Sequence, residues 1–219
     1  MFIRGSGVFV WFLVFGFWLN FYVGMLYGYI ESKMSEQIRS FIAFDIQNEN
    51  LVNRIASVQK LLMQTNADLK LVSPKNIHIT IRFLGVISPE MVDKVYEVMK
   101  KVKFVPFNIQ LQGLGVFPTV NYPRVVWAGI TLGAAQLRSI FEQLEPMLHD
   151  LGLAPEPEFN AHLTIARVSS GANKQRLVDF VTRHQEYEFG NIKANCLRLK
   201  RSQLSPVGPT YTTLKEYSP

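Results

Sequence analysis

The chain has 219 residues, 48% of them hydrophobic, which is enough to bury the core of one ordinary domain and argues against a disordered protein. Its net charge of +6, from 23 Lys and Arg against 17 Asp and Glu, favours a polyanionic partner such as nucleic acid or an anionic membrane. The single cysteine, Cys196, excludes an internal disulfide and a thiolate zinc cluster, and it predicts a reducing compartment.

The N-terminal segment differs from the rest of the chain. Residues 8–30 carry no charge and are dense in large apolar side chains, so they are long enough to cross a bilayer as a helix. A cleavable signal peptide fits less well, because the run exceeds a usual h-region and no clear small-x-small cleavage site follows it. Met34–Ile46 is typical of the start of a soluble domain. We therefore favour residues 34–219 as the working domain, with residues 1–33 outside it, and keep a membrane anchor as the alternative.

After Met34 the sequence predicts alternating strands and helices, as in an α/β or α+β layered fold. Strands are predicted at residues 40–46, 77–84, 107–116, 124–130, 161–168, 187–199 and 210–214. Ser88-Pro89 and Asn173 are typical of helix starts, and Pro146 is expected to kink the helix that contains it. The predicted apolar faces of the helices are Leu51, Ile55, Val58 and Leu62; Met91, Val95, Val98, Met99 and Val102; Leu137, Ile140, Phe141, Leu144, Leu148 and Leu151; and Leu177, Val178 and Val181.

The order of these elements repeats in the second half of the domain. Ala43 lies 35 positions before His78, and Ala128 lies 34 positions before His162. This similarity predicts a duplicated strand-helix-strand unit. Two copies related by a pseudo-twofold axis would bring equivalent strands face to face.

Each predicted repeat carries a His-x-Thr motif in a strand, at His78 and Thr80 and again at His162 and Thr164. Side chains alternate between the two faces of a strand, so each histidine shares a face with its threonine. The same alternation places Arg82 beside His78 and Thr80. One such motif is unremarkable, but two at matching positions of a repeat indicate a functional pair.

Two histidines across a groove suit phosphodiester hydrolysis, because one imidazole can take a proton from water while the other gives one to a departing oxygen. The threonine hydroxyls can donate hydrogen bonds to the nonbridging phosphate oxygens. The scheme requires no metal or other cofactor, and the sequence lacks the ligand clusters of a two-metal phosphatase. His149 and His184 lie near predicted helix ends and are interpreted as structural.

The two motifs and the sequence between them resemble the 2H phosphoesterases. Within that superfamily they are most similar to the RNA 2′,3′-cyclic phosphodiesterases, also called 2′-5′ RNA ligases. The resemblance covers nearly everything from Arg39 to Leu214. It rests on the segments Arg39–Asp45, Asn76–Gly85, Gly113–Pro118, Arg124–Gly129 and Ala161–Arg167.

This resemblance implies an α+β, bilobal fold with two antiparallel sheets around a central groove. It implies hydrolysis of RNA 2′,3′-cyclic phosphate ends to 2′-phosphomonoesters, with a weak reverse 2′-5′ ligation. By the same resemblance, His78 is the general acid and His162 the general base. Thr80 and Thr164 hold phosphate. Arg167 matches a phosphate-binding arginine, although strict alternation puts it on the face opposite His162, so a bulge or strand end must turn it inward.

Basic and aromatic residues are candidates for further RNA contacts. The alternative for the basic residues is a solvated surface charge, and for the aromatic residues it is core packing, which is the interpretation we favour. Three alternatives remain: a cyclic phosphodiesterase for small nucleotides or 2′-5′ oligonucleotides, a non-catalytic protein that binds RNA ends, and a membrane-anchored interaction module. Because a domain for RNA ends gains nothing obvious from an anchor, we expect a cytoplasmic protein. We also expect it to be a monomer. The candidates for RNA contacts are Arg82, Arg124, Phe44, Phe117, Tyr122, Trp127 and the basic pair Lys200-Arg201.

Overall fold

The computed structural model describes residues 37–156, 158–206 and 208–219, and the apolar run at residues 8–30 lies outside them. None of the helices in these ranges has the length and apolar character needed to span a membrane. The elements, in chain order, are β1 (Ile38–Asp45), α1 (Glu49–Met63), β2 (Leu69–Leu71), a 3-10 turn (Pro74–Asn76), β3 (His78–Ile87), α2 (Pro89–Met99), β4 (Phe107–Thr119), β5 (Tyr122–Leu132), α3 (Ala134–Asp150), β6 (His162–Val168), α4 (Lys174–Arg183), β7 (Glu188–Ala194), β8 (Leu197–Ser205) and β9 (Gly208–Tyr217).

The strands form two antiparallel sheets. Sheet A has the order β3-β1-β8-β9, and sheet B has the order β2-β6-β5-β4-β7. The helices do not simply cover the sheet that precedes them in the chain. Helix α1 follows β1 of sheet A but packs against β6 and β7 of sheet B, whereas α3 follows β5 of sheet B and packs against β3 of sheet A as well as β5. The α+β class and the two antiparallel sheets are as predicted.

The duplicated unit is visible as β1-α1-β3 in the first half and β5-α3-β6 in the second. In each copy the two strands are antiparallel neighbours, with Asp45 opposite His78 in one and Gly129 opposite His162 in the other. The helix between them turns its apolar face inward. The face predicted for α1 is fully buried, as are Leu137, Ile140, Phe141, Leu144 and Leu148 of α3.

Two helix starts show how local chemistry sets the boundaries. The hydroxyl of Ser88 accepts a hydrogen bond from the Met91 N–H (3.3 Å), and Pro89 takes the first helical position, as predicted. Asn173 does precede α4, but its backbone is left-handed and its side chain makes no capping bond. Its amide instead donates to the carbonyl of Asn66 (2.7 Å). Asn173 therefore occupies the predicted position before the helix, but the prediction that its side chain caps the helix is wrong. Helix α3 continues past Pro146 to Asp150.

Each histidine-bearing strand contains a bulge at the third residue after its histidine. Between β1 and β3, Ala43 pairs with Thr80 and Ile42 pairs with Arg82, so Ile81 is the extra residue. Between β5 and β6 the extra residue is Ile165, by the same pattern of pairing. A bulge of this kind reverses which face the following side chains occupy. The two halves of the repeat therefore share the same bulge, at Ile81 and at Ile165. These bulges decide which side chains after each histidine face away from the core.

Candidate functional site

The two His-x-Thr motifs lie on the walls of one groove. His78 and Thr80 come from β3 of sheet A, while His162 and Thr164 come from β6 of sheet B, and all four line a groove of about 950 Å³. Each histidine is the first residue of its strand. The fold thus brings together four side chains that the sequence separates into two distant pairs.

Each imidazole is held by the main chain in the same way. Nδ1 of His78 donates to the carbonyl of Asn76 and Nδ1 of His162 donates to the carbonyl of Asn160, both at 2.7 Å. A carbonyl can only accept, so the Nδ1 atom of each ring carries the proton and the Nε2 atom of the neutral ring keeps its lone pair. This arrangement leaves Nε2 as the nitrogen that exchanges protons.

The residues that hold the histidines were not singled out from the sequence. An asparagine two positions before each histidine is the available signal, since Asn76 and Asn160 occupy equivalent places in the repeat. The side chain of Asn76 is buried and donates to the carbonyl of Pro209 (2.7 Å), which ties the start of β3 to β9.

Aromatic rings surround both imidazoles. The ring of His78 lies 4.8 Å from that of Phe41 and 5.1 Å from that of Tyr211, measured between centroids. The ring of His162 is perpendicular to that of Phe117, with centroids 5.0 Å apart. Phe41 and Tyr211 also line the groove, and neither was assigned a role from the sequence.

Burial lowers the pKa of both imidazoles below the usual value of 6.5, because desolvation disfavours the charged ring. For His162 the positive charge of Arg167 lowers the pKa further, while the hydrogen bond to Asn160 raises it. For His78 the hydrogen bond to Asn76 and the carboxylate of Asp45 oppose the lowering of the pKa. Both rings are therefore biased towards the neutral form at neutral pH.

Arg167 lines the groove beside His162 and Thr164. The bulge at Ile165 makes this possible, because it places Ala166 in the core and returns Arg167 to the exposed face. A bulge or strand end was the condition predicted for this placement, and the structure contains a bulge.

The equivalent bulge in β3 has the opposite effect on Arg82, and the prediction that Arg82 shares the face of His78 and Thr80 is wrong. Arg82 is only 4% exposed and forms ion pairs with Glu145 (2.6 Å) and Glu156 (3.3 Å). It also donates to the carbonyls of Ala154 and Phe83. Arg82 therefore connects β3 to α3 and to the loop before β6, and it is not among the residues that line the groove. The groove position belongs to Phe83, which is 51% exposed.

Of the remaining candidates for RNA contacts, Phe117 contacts the groove histidine His162, whereas most of the others are not among the residues that line the groove. Phe44 is buried in the core against Phe104 and Phe107, with centroids 5.8 and 6.1 Å away, so it cannot stack on a base. Tyr122 and Arg124 are exposed at the β4-β5 turn, where the guanidinium carbon lies 4.2 Å from the ring centroid.

Trp127 and Lys200 also have neighbours within the protein. Trp127 is half-buried 5.2 Å from Phe117, and it lies so close to Gly115 that a side chain there would overlap its ring. Lys200 is buried, and its ammonium bonds both carboxylate oxygens of Asp45 at 2.6 and 2.7 Å. A buried, paired lysine cannot guide an RNA backbone, so that expectation for Lys200 is wrong.

The groove has a basic rim that was not predicted from the sequence. Arg39 at the start of β1, Lys70 in β2 and Lys75 in the 3-10 turn are exposed and line the groove together with Arg167. Strand β2 has three residues, too few to show a periodic pattern, so no sequence signal placed Lys70 there. Four cations around one opening favour a polyanion.

A family model described as the AKAP7 2′5′ RNA ligase-like domain matches residues 40–218. The chain belongs to this family. Its similarity to curated proteins runs over most of its length: the RNA 2′,3′-cyclic phosphodiesterase of Aeropyrum pernix is 37% identical over 167 residues, which cover 76% of this chain and 95% of that protein. The protein of the same name from Methanocaldococcus jannaschii is 35% identical over 180 residues, covering 82% and 100%.

Solved structures confirm the 2′-5′ RNA ligase-like fold. TT0787 of Thermus thermophilus superposes with a TM-score of 0.69 at 26% identity, covering 83% of this chain and 97% of that one. Escherichia coli LigT in its apo form gives a TM-score of 0.69 at 23% identity, covering 84% and 98%, which shows the fold alone. The resemblance stated from the sequence is therefore confirmed at the level of family and fold.

Proposed function

We propose that this protein hydrolyses RNA 2′,3′-cyclic phosphate ends to 2′-phosphomonoesters. One observation carries the proposal: two imidazoles, each with Nδ1 bonded to a main-chain carbonyl, lie on the walls of a single groove. The relatives from Aeropyrum pernix and Methanocaldococcus jannaschii are named RNA 2′,3′-cyclic phosphodiesterase, which supports this substrate and reaction.

The proposed reaction divides proton transfer between the two rings. Nε2 of neutral His162 takes a proton from water as the water oxygen bonds to phosphorus. Protonated His78 gives a proton to the 3′ oxygen as the bond between phosphorus and that oxygen breaks. The near symmetry of the site makes these roles exchangeable in principle. Thr80, Thr164 and Arg167 stabilise the charge that accumulates on the nonbridging oxygens.

The basic rim supports an RNA strand over a small nucleotide as substrate. Arg39, Lys70 and Lys75 lie on the rim, where they can contact phosphates further along a strand. Rates on cyclic-phosphate mononucleotides, RNA ends and 2′-5′ oligomers would separate the substrate alternatives. A protein that only binds RNA ends would turn over none of them.

We also propose that residues 34–219 contain the whole activity. The family match begins at residue 40, which supports a working domain that starts near Met34. The N-terminal peptide of the protein from its native source would show whether residues 1–33 are retained.

Activity is expected to persist in excess EDTA, because the proposed proton transfers and charge stabilisation use side chains alone. Within residues 37–156, 158–206 and 208–219, no group of three or more His, Cys, Asp and Glu side chains is arranged to hold a metal. The assay would follow RNA with a cyclic end and identify the product as a 2′ or 3′ phosphate. Loss of activity with EDTA and its recovery with a divalent ion would contradict metal independence.

The ratio kcat/KM is expected to be highest on the acid side of pH 6.5. Activity rises as the base loses its proton and falls as the acid loses its own, and burial lowers the pKa of both imidazoles. Both limbs of the pH profile therefore shift to lower pH. Replacing Arg167 with Gln removes a positive charge that lowers the pKa of His162. The limb of the pH profile that reports the titration of His162 is therefore expected to move to higher pH. An optimum on the alkaline side of neutrality would contradict this assignment.

A further inference from the structure

The two halves of the site differ in the residue that faces each histidine across the sheet. Asp45 of β1 pairs with His78 of β3, and Gly129 of β5 pairs with His162 of β6. Each of these partners lies 33 positions before its histidine, so Asp45 and Gly129 are equivalent in the repeat. Directly paired residues share a face of the sheet, with Cβ atoms about 5 Å apart. His78 therefore has a carboxylate beside it where His162 has no side chain.

A second difference between the halves has the same electrostatic direction. Five positions after each histidine, beyond the bulge, the groove is lined by Phe83 in the first half and by Arg167 in the second. An anion and a neutral ring thus lie beside His78, whereas a cation lies beside His162. A nearby anion favours the protonated imidazole and a nearby cation favours the neutral one. Charge therefore breaks the near symmetry of the two imidazoles.

Two cations from the neighbouring strand hold Asp45. Lys200 is buried, and its ammonium bonds both carboxylate oxygens at 2.6 and 2.7 Å. Arg198 lies 3.7 Å from one of these oxygens and also bonds Glu216 at 2.8 Å. Both cations come from β8, on the side of β1 away from β3, and strands are spaced about 4.8 Å apart. Because Coulomb attraction weakens with distance, the carboxylate retains a net attraction for a protonated His78.

The other titratable groups around His78 supply no negative charge within the described part of the chain. His162 faces it from β6, and a positive charge there lowers the pKa of His78. Tyr211 contacts the ring from β9, and burial raises the pKa of its hydroxyl, which keeps it uncharged. Burial lowers the pKa of His78, the main-chain hydrogen bond and Asp45 raise it, and Lys200 lowers it. Asp45 is thus the charge that offsets the desolvation of this ring.

We propose that Asp45 is the positioning residue that gives His78 the role of proton donor, and that Lys200 limits its effect. The proposal rests on the proposed function. Protonated His78 gives the proton on Nε2 to the 3′ oxygen as the bond between phosphorus and that oxygen breaks, and the electron pair of the bond stays on the oxygen. Because Nδ1 is held by the Asn76 carbonyl, Asp45 acts on the ring through its charge. Asp45 has no part in the attack of water, which His162 assists.

Neutralising each member of the Asp45–Lys200 pair should change activity in opposite directions. The full chain carries Asp45→Asn or Lys200→Met, and kcat/KM is measured on RNA with a cyclic end at about pH 7.5. Both imidazoles are mainly neutral there because burial lowers the pKa of each, so activity follows the protonated fraction of His78. We expect a fall of about three- to tenfold for Asp45→Asn and a rise of about two- to threefold for Lys200→Met, the size expected for one nearby, partly shielded charge.

A substrate with sulphur in place of the bridging 3′ oxygen shows whether the effect acts on the proton donor. A thiolate can leave without being protonated, because a thiol is a far stronger acid than an alcohol. Asp45→Asn should therefore cleave the sulphur-containing RNA as fast as the wild-type protein does. An equal loss on both substrates would overturn the proposal, because it would show damage to binding or folding.

The imidazoles can also be observed directly by NMR. The Cε1–H resonance of His78, assigned by its absence from His78→Ala, should titrate at lower pH in Asp45→Asn and at higher pH in Lys200→Met. The resonance of His162 should titrate as in the wild-type protein. A His78 resonance that titrates identically in all three proteins would contradict the role of Asp45.

Matched controls and a double variant keep the test independent of folding. Asp93→Asn and Lys215→Met break an exposed ion pair of 2.8 Å between α2 and β9, and they should change neither activity nor the titration of the groove histidines. If a single variant at Asp45 or Lys200 does not fold, Asp45→Asn/Lys200→Met removes both charges together. It should lose about two- to threefold on the oxygen substrate and nothing on the sulphur substrate. No loss on the oxygen substrate would overturn the proposal.

The outcomes separate this proposal from the proposed function. Changes of activity with the same sign in Asp45→Asn and Lys200→Met would overturn the role of Asp45 while leaving the hydrolysis of cyclic ends intact. A wild-type protein inactive on RNA with a cyclic end would instead refute the proposed function, and the donor role of His78 with it.

Discussion

Replacing either groove histidine with alanine is expected to lower turnover of RNA with a cyclic end about 10²- to 10⁴-fold, the usual contribution of one general acid or base. The reason is geometric: each ring presents one exchanging nitrogen, and no other described histidine lines the groove. Single-turnover assays of His78→Ala and His162→Ala, each with the enzyme in saturating excess over the RNA, would measure the loss in the chemical step.

Two further variants distinguish a loss of catalysis from a loss of folding. Asparagine at either position can retain a donor near the place of Nδ1, so His78→Asn should keep the bond to the Asn76 carbonyl while losing Nε2. It should be as inactive as the alanine variant. His149→Ala, at an exposed position of α3, should leave turnover unchanged. Near-normal turnover in either groove variant would refute the assignment of acid and base.

The largest expected loss of stability follows from replacing Arg82 with alanine. This change leaves Glu145 and Glu156 without their partner, and removing one member of a buried ion pair is strongly destabilising. Because both carboxylates are partly exposed, we expect a loss near the lower end of the usual range, about 3 kcal/mol in the free energy of unfolding. Urea unfolding followed by circular dichroism would measure it.

Arg124→Ala is the matched control, since this arginine is exposed and its contact is with Tyr122 alone among the described residues. Its loss should change the free energy of unfolding by no more than about 0.5 kcal/mol. Equal stability of the Arg82 and Arg124 variants would show that the buried network contributes little.

The order of elements and the two motifs were predictable because they depend on local periodicity. Apolar spacing located α1 and α3, and the matching distances in the repeat identified His78 and His162 as equivalent. The threonines followed from strand alternation alone, since Thr80 and Thr164 precede the bulges.

Strand alternation alone did not predict the bulges, because they arise from how β3 and β6 pair with β1 and β5. The resemblance required a bulge or a strand end only in β6, as the condition for Arg167 to face the groove. The bulge in β3 reversed the predicted face of Arg82 and gave the groove position to Phe83, and the bulge in β6 decided the placement of Arg167. The burial of Lys200 and its ion pair were not predicted, for a similar reason. Its partner, Asp45, is 155 positions away in the chain and only the sheet brings them together.

The crossing of elements between the two lobes has a mechanical consequence. The first half of the domain sends α1 and β2 to sheet B, the second half sends α3 to sheet A, and the chain then returns to sheet A with β8 and β9. Two lobes joined by one linker can swing open on a hinge, but lobes interlocked by several connections cannot separate without breaking their own cores. The groove walls should therefore keep a fixed spacing, so that substrate fits itself to a rigid site.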